Sequence, residues 1–283
     1  MSASMNEVLG RRFGKASDVT IKDHRIQRPD GSNLRVRVYR KIASTTRGAL
    51  LYIHGGGMIV SSIEDYDARC MHYATHTGLP LVSVDYSLAP EAPYPSQIDD
   101  ALIALLWMHE NADDLGWDRT RIGIGGDSAG GGLTAGTVLN NRDTTRLPLA
   151  CQMLVYPMLD DRNVVPDTRF PRQFQMWTYV DNRTGWDAYL SGLASRDDVP
   201  IYAAPARASD LNGLPPTYID TGTLDIFYDE DIAYAKRMIA AGVEVEGHVW
   251  NGAPHGFDYF APHSSLAKKA WNARFAFLVE HLS

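Results

Sequence analysis

The run Arg121-Ile122-Gly123-Ile124-Gly125-Gly126-Asp127-Ser128-Ala129-Gly130 decides the fold. An apolar, β-type segment runs into glycines around a serine, and a helix-compatible stretch follows over 133–139. In a strand-turn-helix context the turn pushes the Ser128 hydroxyl out at the top of a sheet. Glycines flank the serine because the turn is strained and a Cβ there collides with neighbouring backbone. In a chain with 24 glycines the same spacing also arises as a glycine-rich helix start. The reading therefore needs partners elsewhere in the chain.

Two more motifs supply them. His54-Gly55-Gly56-Gly57 follows the apolar run Ala49-Leu50-Leu51-Tyr52-Ile53, at the C-terminal end of a strand. Consecutive glycines there can aim backbone N–H groups at a developing oxyanion. Downstream, Asp225 precedes a helical segment, and His255-Gly256-Phe257 follows a strand-like stretch at 243–250. The chain order Ser128, Asp225, His255 is the one an α/β-hydrolase needs, and it differs from the orders on other serine-hydrolase folds.

Hydrophobic patterning gives the same fold class. Strand-like segments fall at 34–39, 49–53, 81–86, 121–125, 149–156, 217–221 and 243–250, several of them continuously apolar, as strands covered on both faces are. Helical patterns at 66–77, 96–111, 128–140, 226–241 and 264–281 separate most of them. Alternation of this kind predicts an α/β fold with a mostly parallel sheet between helices, opened by an antiparallel pair at 34–39. Between Pro157 and Ala208 the alternation stops, yet Phe170, Phe174, Trp177, Tyr179, Trp186, Tyr189 and Tyr202 fall there. So long an aromatic insertion reads as a helical lid rather than a structureless loop.

Bulk composition narrows the partners. The chain has 283 residues, 45% hydrophobic, with a formal net charge of −7, enough for one large core. Lysines and arginines are scattered, which argues against nucleic acid. Residues 1–15 carry no apolar run of signal-peptide length, and no stretch approaches the roughly 20 apolar residues of a membrane span, so a cytoplasmic location is expected. Cys70 and Cys151 read as two free buried thiols, without metal-ligand spacing. His72 and His76 stand one helical turn apart, but the glutamate of a zinc hydrolase motif is missing between them; solvated helix surface is the better reading. The glycines before Ser128 start like a dinucleotide fingerprint, with Ser128 where glycine or alanine is needed. No metal or organic cofactor is implied.

The motifs together resemble the bacterial hormone-sensitive-lipase-like esterases, family IV of the α/β-hydrolase superfamily. The resemblance is carried by His54-Gly55-Gly56-Gly57, Val84-Asp85-Tyr86-Ser87-Leu88-Ala89-Pro90-Glu91, Gly126-Asp127-Ser128-Ala129-Gly130-Gly131, Asp225-Ile226-Phe227-Tyr228-Asp229-Glu230 and His255-Gly256-Phe257. It implies a core at 34–158 and 208–283, and a cap made from 1–33 and 159–207. It also implies a small-molecule ester of short to medium acyl chain as substrate. Some members form homodimers, and the helix at 264–281 would be the candidate contact.

Ser128 is then the nucleophile, since a serine hydroxyl attacks an ester only when a base takes its proton, and His255 is that base. Asp225 orients the imidazole. Asp229 and Glu230 lie close enough in sequence to compete, but a helix N-terminal acidic cluster describes them better. The residue after the nucleophile, Ala129, offers one oxyanion donor. By resemblance Gly56 and Gly57 supply the others, with Gly55 a near alternative, while His54 anchors the loop. Asp127 and Glu91 read as loop-fixing residues. Most insertion aromatics must form the cap's own core, with Trp177 and Tyr179 as the candidates for lining the pocket. Two other functions share these residues: an arylformamidase-like amide hydrolase, and a ligand-binding receptor that has lost turnover. The receptors lack the catalytic histidine, which is present here as His255.

Overall fold

Successive residues of a strand point to opposite faces, so a strand buried along its whole length feeds two cores. Strand β3 (Ala49–Ile53) does this: Ala49, Leu51 and Ile53 enter one apolar cluster, Leu50 and Tyr52 the other. The computed structural model describes residues 17–283. The first cluster is closed by helices α2 (Ser96–Glu110), α3 (Ala129–Asp143) and α5 (Tyr228–Ala240), which contribute Ile98, Leu105, Leu133, Val138, Tyr234 and Met238. Helices α1 (Ile63–Thr77) and α7 (Ser265–Leu282) close the second with Tyr73, Trp271 and Leu278.

Between these layers lies one eight-stranded sheet in the order β1-β2-β4-β3-β5-β6-β7-β8. The strands are β1 (Val19–Gln27), β2 (Asn33–Lys41), β4 (Leu81–Val84), β5 (Ile122–Asp127), β6 (Gln152–Val155), β7 (Thr217–Gly222) and β8 (Val245–Trp250), besides β3. Only β2 runs antiparallel to its neighbours, β1 and β4. The loops after β5, β7 and β8 thus leave the sheet at one common edge, the carboxyl ends of parallel strands, where open α/β sheets place ligands.

Two expectations are corrected, the extent of the N-terminal cap and the exposure of His72. Residues 1–33 do not all belong to a cap: β1 is a strand of the sheet, paired along its length with β2. Residues 1–16 lie outside the described residues. The sequence hid β1 because it is an edge strand exposing Lys22, Asp23 and Arg25, polar side chains that guard such an edge against pairing with another chain. The insertion at 159–207 contains a single α-helix, α4 (Tyr179–Tyr189), with short 3₁₀ turns at Arg172–Phe174 and Pro205–Arg207. His72 is half-buried rather than solvated, edge-on to Trp271 at 4.8 Å, and burial, helped by neighbouring His76, pulls its pKa down to about 3. Helix α7 buries Ala267, Ala270, Trp271, Phe277, Leu278 and Leu282 within its own chain.

Candidate active site

Ser128 joins β5 to α3 at φ 56° and ψ −122°, a conformation costly for a residue with a Cβ. Its backbone is held from both sides. The N–H donates to the Val155 carbonyl at 2.9 Å, and its own carbonyl accepts from Gly132 (3.1 Å) and Met158 (2.9 Å). The flanking glycines are needed for close approach. A Cβ on Gly130 would stand 2.0 Å from the Ile53 carbonyl oxygen, and one on Gly126 would stand 2.5 Å from it. Helix α3 therefore starts directly against the end of β3, beside the His54 loop.

His255 follows β8 and lies between the edges of two aromatic rings, Tyr156 at 4.8 Å and Phe227 at 5.1 Å. Its Nδ1–H donates to Asp225 Oδ2 at 2.7 Å, and the Ser128 hydroxyl donates to its Nε2 at 2.9 Å. This tautomer leaves Nε2 free to take the serine proton. Asp225, buried in the loop after β7, accepts a second bond from the Phe227 N–H at 3.0 Å. The three side chains singled out in the sequence are thus in one hydrogen-bonded line.

Opposite them runs the glycine loop. Gly56 has φ +116°, which disfavours any residue bearing a Cβ, and a side chain there would strike the Val60 carbonyl. Gly55 has no room either, since a Cβ would lie 2.9 Å from the Asp127 carbonyl oxygen and 3.2 Å from Ser128 Cβ. The N–H groups of Gly56, Gly57 and Ala129 find no hydrogen-bond acceptor among the described residues. His54 is fully buried, stacked on Tyr86 at 4.2 Å, with Nδ1 2.8 Å from the Gly55 carbonyl. Burial pulls its pKa down and keeps the ring neutral.

Trp177 packs its indole on Gly57, where a Cβ would come within 2.3 Å of the ring. The next residue starts α4 with a capping box: Thr178 accepts from the Asp181 N–H, and the Asp181 carboxylate accepts from the Thr178 N–H. The Trp177 Nε1–H donates to Asn182, and Asn182 donates to the Asn163 carbonyl. Asn163 in turn donates to the Ile226 carbonyl at 2.8 Å and to Glu230 at 2.7 Å. A chain of contacts therefore runs through the insertion from the glycine loop to the residue after Asp225.

Serine, histidine, Gly56, Val60, Tyr66, Met176, Trp177 and Phe260 line a pocket of about 190 Å³. Tyr179 is absent from it; its ring is buried in the larger apolar cluster, a packing residue of the insertion. Larger open grooves exist, one of about 560 Å³ between the β1–β2 turn and α2, but it lies away from the Ser128–His255 pair. Of the acidic readings, one gains a role and one changes. Glu230 does lie in the acidic first turn of α5, as expected, but it is buried there and accepts the N–H groups of Leu159 (2.7 Å) and Asp160 (3.1 Å), with burial pushing its pKa well up. Glu91 is exposed, and Asp100 fixes that loop instead, accepting from the Ser87 N–H, the Ser87 hydroxyl and Arg28.

Sequence reasoning singled out Asp127 as a fixing residue but passed over the charges it meets beneath the site. Asp127 accepts from Tyr52 and Tyr66, each at 2.9 Å, and from Arg69 at 3.3 Å. Arg69 continues to Asp258 at 2.6 Å, and Arg274 bridges Asp258 to Asp220. Both arginines are fully buried. Burial alone would raise the Asp258 pKa, but Arg69 and Arg274 outweigh it and hold it at about 2. The one signal available was arginine at otherwise apolar helix positions facing the core, as in Arg274 of α7.

Comparison with known proteins agrees with this architecture. Residues 50–259 match a family described as alpha/beta hydrolase fold. Carboxylesterase NlhH of Mycobacterium tuberculosis is 36% identical over 235 residues, covering 81% of this chain and 73% of that protein. Esterase LipI of the same organism is 34% identical over 223 residues, covering 79% and 69%. The solved structure of a bacterial heroin esterase superposes with a TM-score of 0.91 at 35% identity, covering 98% of this chain and 90% of that one. The chain belongs to the α/β-hydrolase fold family, and within it to the hormone-sensitive-lipase-like esterases. Among the described residues no helix is long and apolar enough to cross a membrane.

Proposed function

We propose that this chain is a serine carboxylesterase, hydrolysing esters of short to medium acyl chain through an acyl-enzyme. The observation that carries the reading is the unbroken line from Ser128 Oγ through His255 to Asp225, at 2.9 and 2.7 Å, opening into the pocket. Relatives named as esterase and carboxylesterase support ester over amide as the substrate class.

In this mechanism Ser128 Oγ attacks the ester carbonyl carbon while its proton passes to His255 Nε2. The carbonyl oxygen becomes an oxyanion, received by the N–H groups of Gly56, Gly57 and Ala129. As the tetrahedral intermediate collapses, the C–O bond to the alcohol breaks and the imidazolium returns its proton to the leaving alkoxide. Water, deprotonated by His255, then attacks the acyl-enzyme and releases the acid. Asp225 keeps Nδ1–H oriented and stabilises the charged ring in both halves. Trp177 borders the substrate, and residues 159–207 form the cap over a core that runs from β1 to residue 158 and resumes at 208–283. A pocket near 190 Å³ favours the short end of the acyl range.

Hydrolysis of p-nitrophenyl esters from acetate to laurate, with wild type and Ser128→Ala in parallel, tests the reading. Turnover should peak at the short esters and fall by about 10⁵-fold or more in the variant. Equal rates in the two proteins, or turnover of anilides with none of esters, would overturn it.

A further inference from the structure

The three loops that carry Ser128, Asp225 and His255 come from separate strands, and one chain of buried charges reaches all of them. Asp127 is the residue before Ser128. Asp258 lies one turn past His255, in the short helix α6 (Phe257–Phe260). Asp220 is on β7, ahead of the Asp225 loop. Arg69 of α1 joins the first two carboxylates, and Arg274 of α7 joins the last two. Signs alternate along the line: Asp127, Arg69, Asp258, Arg274, Asp220.

Tyr156 ties this line to the imidazole. Its hydroxyl donates to Asp258 at 2.8 Å and accepts from Arg69 at 2.9 Å, while the edge-on contact of its ring with His255 is 4.8 Å. Its N–H donates to the Asp220 carbonyl at 2.8 Å, and Arg274 stands over its ring at 5.6 Å. Charges in a low-dielectric interior are costly unless each has its partner in good geometry, so the line tolerates few alternative arrangements.

We propose that Arg69, Asp258 and Arg274, acting through Tyr156, are positioning residues that hold Ser128 and His255 in register for proton transfer. None of them exchanges a proton with substrate. Arg274 is the cleanest case, because it lies outside the pocket and meets the site only through Asp258, Asp220 and Tyr156. A small displacement between nucleophile and base costs catalysis steeply, whereas ester binding in the pocket is left intact.

This inference rests on the esterase reading, so wild type and Ser128→Ala are assayed first on p-nitrophenyl acetate. If those two do not differ, the esterase reading fails and the proposal falls with it. Given serine-dependent turnover, kcat and KM are measured per active site, counted with a phosphonate titrant, for Arg274→Met, Arg274→Lys and Tyr156→Phe. Arg274→Met should lower kcat roughly tenfold or more with KM within about threefold, and Arg274→Lys should recover most of the loss. Tyr156→Phe, which keeps the ring and removes only the hydroxyl, should lower kcat by a smaller factor, again with KM held. A folded Arg274→Met protein with wild-type kcat, lower only in melting temperature, would overturn the proposal. Should Arg274→Met fail to fold, Tyr156→Phe decides: unchanged kcat overturns the proposal and reduced kcat at constant KM sustains it.

Discussion

The floor beneath Ser128 and the insertion at 159–207 are built in opposite ways. Below Ser128, backbone meets backbone: Cβ atoms on Gly130 and Gly132 would each stand 2.0 Å from a carbonyl oxygen, of Ile53 and Met158 respectively. Asp127, Arg69, Asp258, Arg274 and Asp220 are buried there and paired with one another. The cap segment leaves Val165 and Val180 about three-quarters exposed, and its Arg169 meets Asp167 and Asp229 in open solvent. The difference teaches where each part of the function resides. On the proposed esterase reading, a strained serine and a proton line need an over-determined frame, while the wall that would face substrate can vary without disturbing them.

If that contrast is right, the deepest damage comes from crowding the floor. Gly130→Ala should destabilise the chain by about 3 kcal/mol or more, or prevent folding, because neither Ile53 nor α3 has anywhere to move. Urea melts measure it; a variant as stable as wild type would mean that the floor is more compliant than described.

The buried charges give the next effect, readable against pH. Asp258 is held at about 2, below its ordinary 3.8. The folded state therefore binds that proton less readily than the unfolded chain. Its contribution, about 2 kcal/mol, is complete above pH 4 and is lost as pH falls towards 2. Stability measured between pH 5 and 2.5 should fall more steeply in wild type than in Asp258→Asn. Parallel curves would remove the carboxylate from the ledger of acid lability.

At the cap the smallest change is expected. Arg169→Ala breaks two exposed ion pairs, and solvent already screens them. The melting temperature should stay within about 2 °C of wild type. A larger drop would show that the cap is anchored more firmly than its exposure implies.

The same contrast explains what could be read from the chain. Ser128, Asp225 and His255 were legible because each lies in a local motif at a strand end, where glycine spacing records the geometry. The inner strands were legible as apolar runs. Edge strand β1 was not, since most of its side chains face solvent and leave no hydrophobic period. Nor was the Arg69–Asp258 pair, whose members lie far apart in sequence and meet only through the fold. Glu230 was legible as a helix-start acid, but only the packing of the insertion against α5 reveals that it also pins Leu159 and Asp160. Trp177 and Tyr179 were indistinguishable as insertion aromatics; the position of Gly57 separates them, one over the glycine loop and one in the core.

Covalent labelling tests the central claim most directly. Treatment with an aryl phosphonate ester, followed by intact-mass measurement and peptide mapping, should yield a single adduct on Ser128, with turnover lost in proportion, and labelling should become very slow in His255→Ala. An adduct on another residue, or full esterase activity in a protein labelled at Ser128, would contradict the account.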